Sequence, residues 1–136
     1  MVVALVCYDG TEGSDRALSY AVEALRGKIT ELHLAYVAQS PGDIPEPVPA
    51  ELLESIRAEG REILSEAKSA ADSGSMAVAT HLEMGNPGET LLRLADGLRP
   101  DVVVMGVARH TAAEKALGTV SSSFLKARRH RLLIVP

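Results

Sequence analysis

The sequence has no tryptophan, and its aromatic residues are three tyrosines and one phenylalanine. A core must therefore be assembled from Val, Leu, Ile, Ala and Met. A chain of 136 residues can bury such a core without disulfides or a structural metal, and residues 1–136 are expected to form one domain. The only cysteine, Cys7, has no partner for an intrachain disulfide, which fits a reducing cytosol. It lies in an apolar run, where it is either a small buried hydrophobe or, in the sharper reading, a reactive thiol.

Long hydrophobic runs are also missing. The N-terminal MVVALVCYDG lacks a basic segment and is far too short to span a bilayer, so neither export nor a membrane role is expected. A formal net charge of −4 argues against a general nucleic-acid or anionic-membrane binder, which needs a net basic face. The charge is unevenly spread. Residues 1–89 carry 6 Lys/Arg against 15 Asp/Glu, whereas residues 90–136 carry 8 against 3. The basic part ends in Lys126, Arg128, Arg129, His130 and Arg131, where cations suit the C-terminal pole of a helix.

Several chemical signatures are absent. There is no Gly-x-x-x-x-Gly-Lys phosphate loop and no Gly-x-Gly-x-x-Gly after the first strand, so a P-loop or dinucleotide enzyme is not expected. No Gly-x-Ser-x-Gly turn raises a serine nucleophile. His33, His81, His110 and His130 are scattered, without a paired carboxylate or metal-ligand spacing, and no metal site is expected.

What is present is a regular alternation of strand and helix signals. Val2 to Tyr8 is a short apolar run stopped by Asp9-Gly10, a strand buried on both faces. Ser14 to Leu25 keeps helical spacing, with Gly27 suited to close it. A strand over Thr30 to Val37 precedes a loop containing Pro41, Pro45, Pro47 and Pro49. Ala50 to Ala71 is a long amphipathic helix interrupted by Gly60, at a cost of about 1 kcal/mol relative to Ala. Met76 to Glu83 reads as the third strand. Asn86 then serves as N-cap, Pro87 as the first helical residue and Glu89 as the returning carboxylate of a helix reaching Leu98. Asp101 to Met105 has no polar residue after Asp101 and must be a central strand. A helix near Thr119 to Arg129 and a strand over Arg131 to Val135 follow. Right-handed crossovers make this an α/β fold, a five-stranded parallel sheet covered on both faces.

In an open parallel sheet, ligands bind beyond the carboxyl ends of the strands where the strand order reverses. Two loops are suited to that position. One follows the first strand at Asp9-Gly10-Thr11; the other follows the fourth, from Met105-Gly106 to Gly118-Thr119-Val120. Glycine lets backbone amides approach a phosphate, and a helix N-terminus offers unpaired N–H groups. Equally, Gly106 could only end a strand, Thr119 only cap a helix, Asp9 only cap the first helix, and Val37 and Met105 could be only core residues.

Five stretches, in their order and spacing, carry a resemblance to a known family. They are Val6-Cys7-Tyr8-Asp9-Gly10-Thr11 with Ser14 and Arg16-Ala17-Leu18; Leu32 to Val37; Gly85-Asn86-Pro87; Pro100 to Gly106; and Leu117 to Ser121 with Leu132 to Val135. Together they resemble the universal stress proteins over nearly the whole chain. The resemblance implies a doubly wound, Rossmann-like sheet of strand order 3-2-1-4-5. It also implies a cytoplasmic stress-response module, non-enzymatic, that binds ATP or another adenine nucleotide and dimerises through Arg131 to Val135. Asp9 and the backbone of Val37 would face adenine and ribose, with Cys7 beside the base. Met105, Gly106, Gly118, Thr119 and Val120 would line the ribose and phosphates. The family's ATP-binding members carry Gly-x2-Gly-x9-Gly followed by Ser or Thr. Here Arg109 holds the second glycine position and only eight residues separate it from Gly118. Arg109 either offers a guanidinium to a phosphate or points into solvent. The alternative reading is a family member that binds no nucleotide and acts through protein partners.

Overall fold

In the computed structural model, residues 2–39, 47–71, 76–107 and 120–136 are described. Among them the apolar runs become five strands: β1 (Val2–Cys7), β2 (Ile29–Ala38), β3 (Ala77–Met84), β4 (Val102–Gly106) and β5 (Leu132–Val135). The stripes of helical period become α1 (Glu12–Ala24), α2 (Ala50–Ala71), α3 (Pro87–Leu98) and α4 over 120–127. Pro47 and Pro49 precede α2 outside any regular element; Pro41 and Pro45 lie outside the described residues, as do His110 and the interval containing Arg109, Gly118 and Thr119.

Helix ends follow local chemistry. Asn86 Oδ1 accepts the Glu89 N–H at 3.1 Å and Pro87 opens α3, the expected cap. α1 starts earlier than its apolar periodicity indicates, because Thr11 Oγ1 accepts the Ser14 N–H at 3.3 Å. It closes at Leu25 rather than Gly27, whose positive φ of 79° serves the turn into β2.

The sheet is parallel throughout, in the order β3-β2-β1-β4-β5. Alternation along the strands splits the core into two layers. Ala4, Val6, Leu32, Leu34 and Val104 face α1 and α2, while Leu5, Ala35, Val103 and Met105 face α3 and α4. Gly60, which sequence reasoning treats only as a cost to α2, has a packing role. A β-carbon there would stand 2.6 Å from Leu82 Cδ1 and 3.0 Å from Tyr36 Cε2, so its absence lets α2 lie close on β2 and β3. No helix among the described residues is long and apolar enough to cross a membrane.

Strand register corrects the expectation that the histidines lack partners. Opposite Ala79 and Ala35 respectively, His33 and His81 share one face of the β2–β3 ladder. His33 Nδ1 lies 2.8 Å from His81 Nε2, and His33 Nε2 lies 2.8 Å from Glu31 Oε1. A carboxylate only accepts, so His33 donates to Glu31 from Nε2 and at Nδ1 accepts a hydrogen bond from the His81 Nε2–H. Burial, then the neighbouring His33, pushes the His81 pKa below its ordinary 6.5, with Glu83 opposing. The unfolded chain therefore binds protons that the folded one resists. The contribution of His81 to stability is intact above pH 6.5 and is lost as pH falls through the lower folded value. Thermal melts between about pH 7.5 and 5.5 should show a falling midpoint, and His81→Gln should flatten that slope. An unchanged slope in the variant would rule out this source.

Candidate functional site

The strand order reverses between β1 and β4: the chain leaves β1 towards β2 on one side and β4 towards β5 on the other. At the carboxyl ends of these strands lies a cleft of about 180 Å³. Its walls come from the end of β1 (Cys7, Tyr8, Asp9), the end of β2 (Ala35, Val37, Gln39) and Gly106 of β4. Two helices begin on it, α1 at Thr11 to Ser14 and α3 at Pro87, and Val120 of α4 also lines it. Helix N-termini carry unpaired N–H groups and a positive pole, so this convergence favours an anionic or carbonyl-rich ligand.

Of the residues singled out from sequence, Cys7, Asp9, Val37, Gly106 and Val120 line this cleft. Met105 does not: it is 1% exposed and its side chain packs among Leu5, Val103 and Phe124 beneath the site. Met105 shares the sheet face of Cys7, Ala35 and Val37, but the buried Phe124 and its neighbours cover it. Arg109, Gly118 and Thr119 fall outside the described residues. Tyr8, Thr11, Gly13, Ser14, Ala35, Gln39, Pro87 and Leu91 also line the cleft. Tyr8 and Thr11 belong to the first of the two loops that the sequence offers for a ligand, whereas the others had no place at a ligand in the sequence reading. The signal was their position, each within a few residues of a strand end or helix start.

The Asp9 turn is built by nested hydrogen bonds. Asp9 Oδ1 accepts from the Thr11 N–H at 3.0 Å and from Thr11 Oγ1 at 2.5 Å. The Thr11 side chain in turn caps α1, and Ser14 Oγ donates to Thr11 O at 2.9 Å. Asp9 therefore does not cap α1; Thr11 does, and Asp9 orients Thr11. The carboxylate is held in place by Oδ1, while Oδ2 has no partner among the described residues and is free to accept hydroxyl donors. Tyr8 donates its hydroxyl to Asp15, which pins its ring against the first turn of α1. Burial, then Asp15, raises the Tyr8 pKa, so it remains a neutral donor. The Cys7 thiol is pushed up to about 12, first by burial and then by Asp9, which leaves it a small hydrophobe rather than a reactive thiolate.

Gly106 has a spatial reason for its identity. A β-carbon built there would stand 3.1 Å from Gly13 Cα and closer still to the Gly13 carbonyl carbon and oxygen. β4 and the first turn of α1 thus meet backbone to backbone at the floor of the cleft.

A second, shallow cleft lies near the C-terminal ends of α3 and α4, lined by Asp96, Arg99, Pro100, Arg129 and His130. Asp96 accepts from Arg129 at 2.8 and 3.2 Å and pairs with His130 at 2.8 Å. Arg129 chiefly, with His130, holds the Asp96 pKa down at about 2. Part of the basic cluster is therefore a latch between α3 and the start of β5. Among the described residues, no group of three or more His, Cys, Asp or Glu is placed to hold a metal ion.

The universal stress protein family model matches residues 3–136. A universal stress protein of Methanocaldococcus jannaschii is 26% identical over 133 residues, which cover 93% of this chain and 77% of that protein. Among solved structures, a protein of the universal stress protein family from Burkholderia pseudomallei is 26% identical and aligns over 99% of this chain and 96% of its own, with a TM-score of 0.78. A universal stress protein in complex with cAMP is 25% identical, covering 99% of this chain and 97% of its own, with a TM-score of 0.68. Sheet order, helix placement and the span of the family match agree, and the chain belongs to the universal stress protein family.

Proposed function

We propose that this chain is a nucleotide-binding regulatory module of a cytoplasmic stress response, taking ATP or another adenine nucleotide at the β1–β4 switch point and performing no efficient catalysis on it. The observation that carries this reading is the cleft itself, which pairs an apolar wall with an oriented carboxylate and the N-termini of α1 and α3. A purine fits against Cys7, Ala35, Val37 and Leu91, and the ribose hydroxyls reach Asp9 Oδ2. The phosphates lie towards Gly106 and Val120, beside the positive pole of α1. The cAMP complex of a related protein supports the same ligand class.

Titration with ATP, AMP and cAMP tests this. Saturable binding is expected for at least one, weakened about tenfold or more in Asp9→Ala, the size of a lost charge-assisted hydrogen bond. No saturable binding by any of the three would sink the nucleotide reading. It would leave the second one, a module acting through protein partners. That reading draws on Arg109 in the second glycine position and on Gly106 having a packing reason that needs no ligand.

Self-association through β5 belongs to either reading. β5 ends the sheet and exposes Ile134, and pairing with a second copy would cover that edge. Sedimentation equilibrium of the intact chain decides between monomer and dimer.

A further inference from the structure

We infer that Arg16 is a positioning residue of the cleft, fixing the backbone where β4 leaves the sheet and thereby the edge at Gly106. The inference rests on the nucleotide reading and assigns its phosphate-facing edge an anchor.

Arg16 lies three residues after Gly13 on α1 and is half-buried. It has no Asp or Glu side-chain partner among the described residues. Instead its Nη2 donates to Val107 O at 3.1 Å and its Nε donates to Pro136 O at 3.3 Å. Val107 N–H donates to Val135 O at 2.9 Å. Both main-chain polar groups of Val107 are thus held, one by β5 and one by α1.

The contact between Gly13 and Gly106 fixes how closely β4 approaches α1, and the guanidinium fixes the peptide that follows. A planar guanidinium donates along two directions at once and bridges two main-chain oxygens; an ammonium is a single point of charge. Because Val107 directly follows Gly106, loss of the bridge frees the phosphate-facing edge. The apolar wall at Ala35, Val37 and Leu91 is built by other elements and stays in place.

The test compares ATP with adenosine by calorimetric titration of the parent chain, Arg16→Met and Arg16→Lys, with thermal midpoints measured alongside. Arg16→Met is expected to weaken ATP about tenfold, the effect of a lost charged hydrogen bond, and to leave adenosine within about twofold. Arg16→Lys, which can restore one bond but not the bridge, should fall between. Equal losses for both ligands, or a lowered melting midpoint with the ATP-to-adenosine ratio unchanged, would mean that Arg16 only supports the fold. Adenosine binding by a parent that shows no preference for ATP would also overturn the inference while leaving a nucleoside site. Binding of neither ligand by the parent removes the nucleotide reading and this inference with it.

Discussion

Gly106→Ala is expected to destabilise the protein by about 3 kcal/mol, the upper end of overpacking costs, because the atoms it meets are main chain. A methyl group there collides with the Gly13 peptide at the start of α1, where no side chain can rotate aside. Either β4 withdraws from α1 or the first turn of α1 unwinds, and each movement deforms the cleft. Gly106 is not at a positive φ, so the penalty comes from space and not from backbone conformation. Urea unfolding measures it: the midpoint should drop with little change in slope. A midpoint within experimental error of the parent would show that the two backbones part at little cost.

Phe124→Ala should have a larger effect, about 4 kcal/mol, since it removes a large side chain from a closed core. Phe124 is 1% exposed and is the largest of the fully buried side chains. It seats α4 against Leu5, Val103 and Met105 on the sheet and against Leu91 and Ala95 of α3. Its ring also meets the edge of His130, 5.8 Å away, which pairs with Asp96. Against a total stability of about 5–15 kcal/mol, such a loss leaves a marginal domain. Phe124→Leu, which retains most of the volume, is expected to cost about 1 kcal/mol. Comparable unfolding midpoints for the two variants would refute a cavity as the cause. Because Val120 is one helical turn from Phe124, a displaced α4 also moves one wall of the cleft.

Much of the fold is legible in local sequence. Ala50–Ala71 and Pro87–Leu98 are helices between the residues their periodicity indicates, and the strands fall within one or two residues of their apolar runs. Asn86-Pro87 marks its helix start because capping is decided within four residues. Periodicity does not specify which strands are neighbours; here the order came from family resemblance, and the structure has the same order. Of the site, the Asp9 turn and Gly106 are visible as strand-end punctuation. The pairing of His33 with His81, 48 residues away, is not, because it depends on β2–β3 register.

The sequence by itself therefore determined the type of each described element, its extent to within about two residues, the covering of the sheet on both faces and the neighbourhood of the cleft. These depend on side-chain period, caps and turns, all set by residues close along the chain. Only the tertiary structure decided that Met105 belongs to the core, that Thr11 caps α1 while Asp9 orients it, and that Gly106 is needed for contact with Gly13. The same holds for Arg16, which spans three elements to hold Val107. Each depends on the distance between backbones separated by tens of residues, a quantity fixed when the helices dock on the twisted sheet and carried by no local pattern.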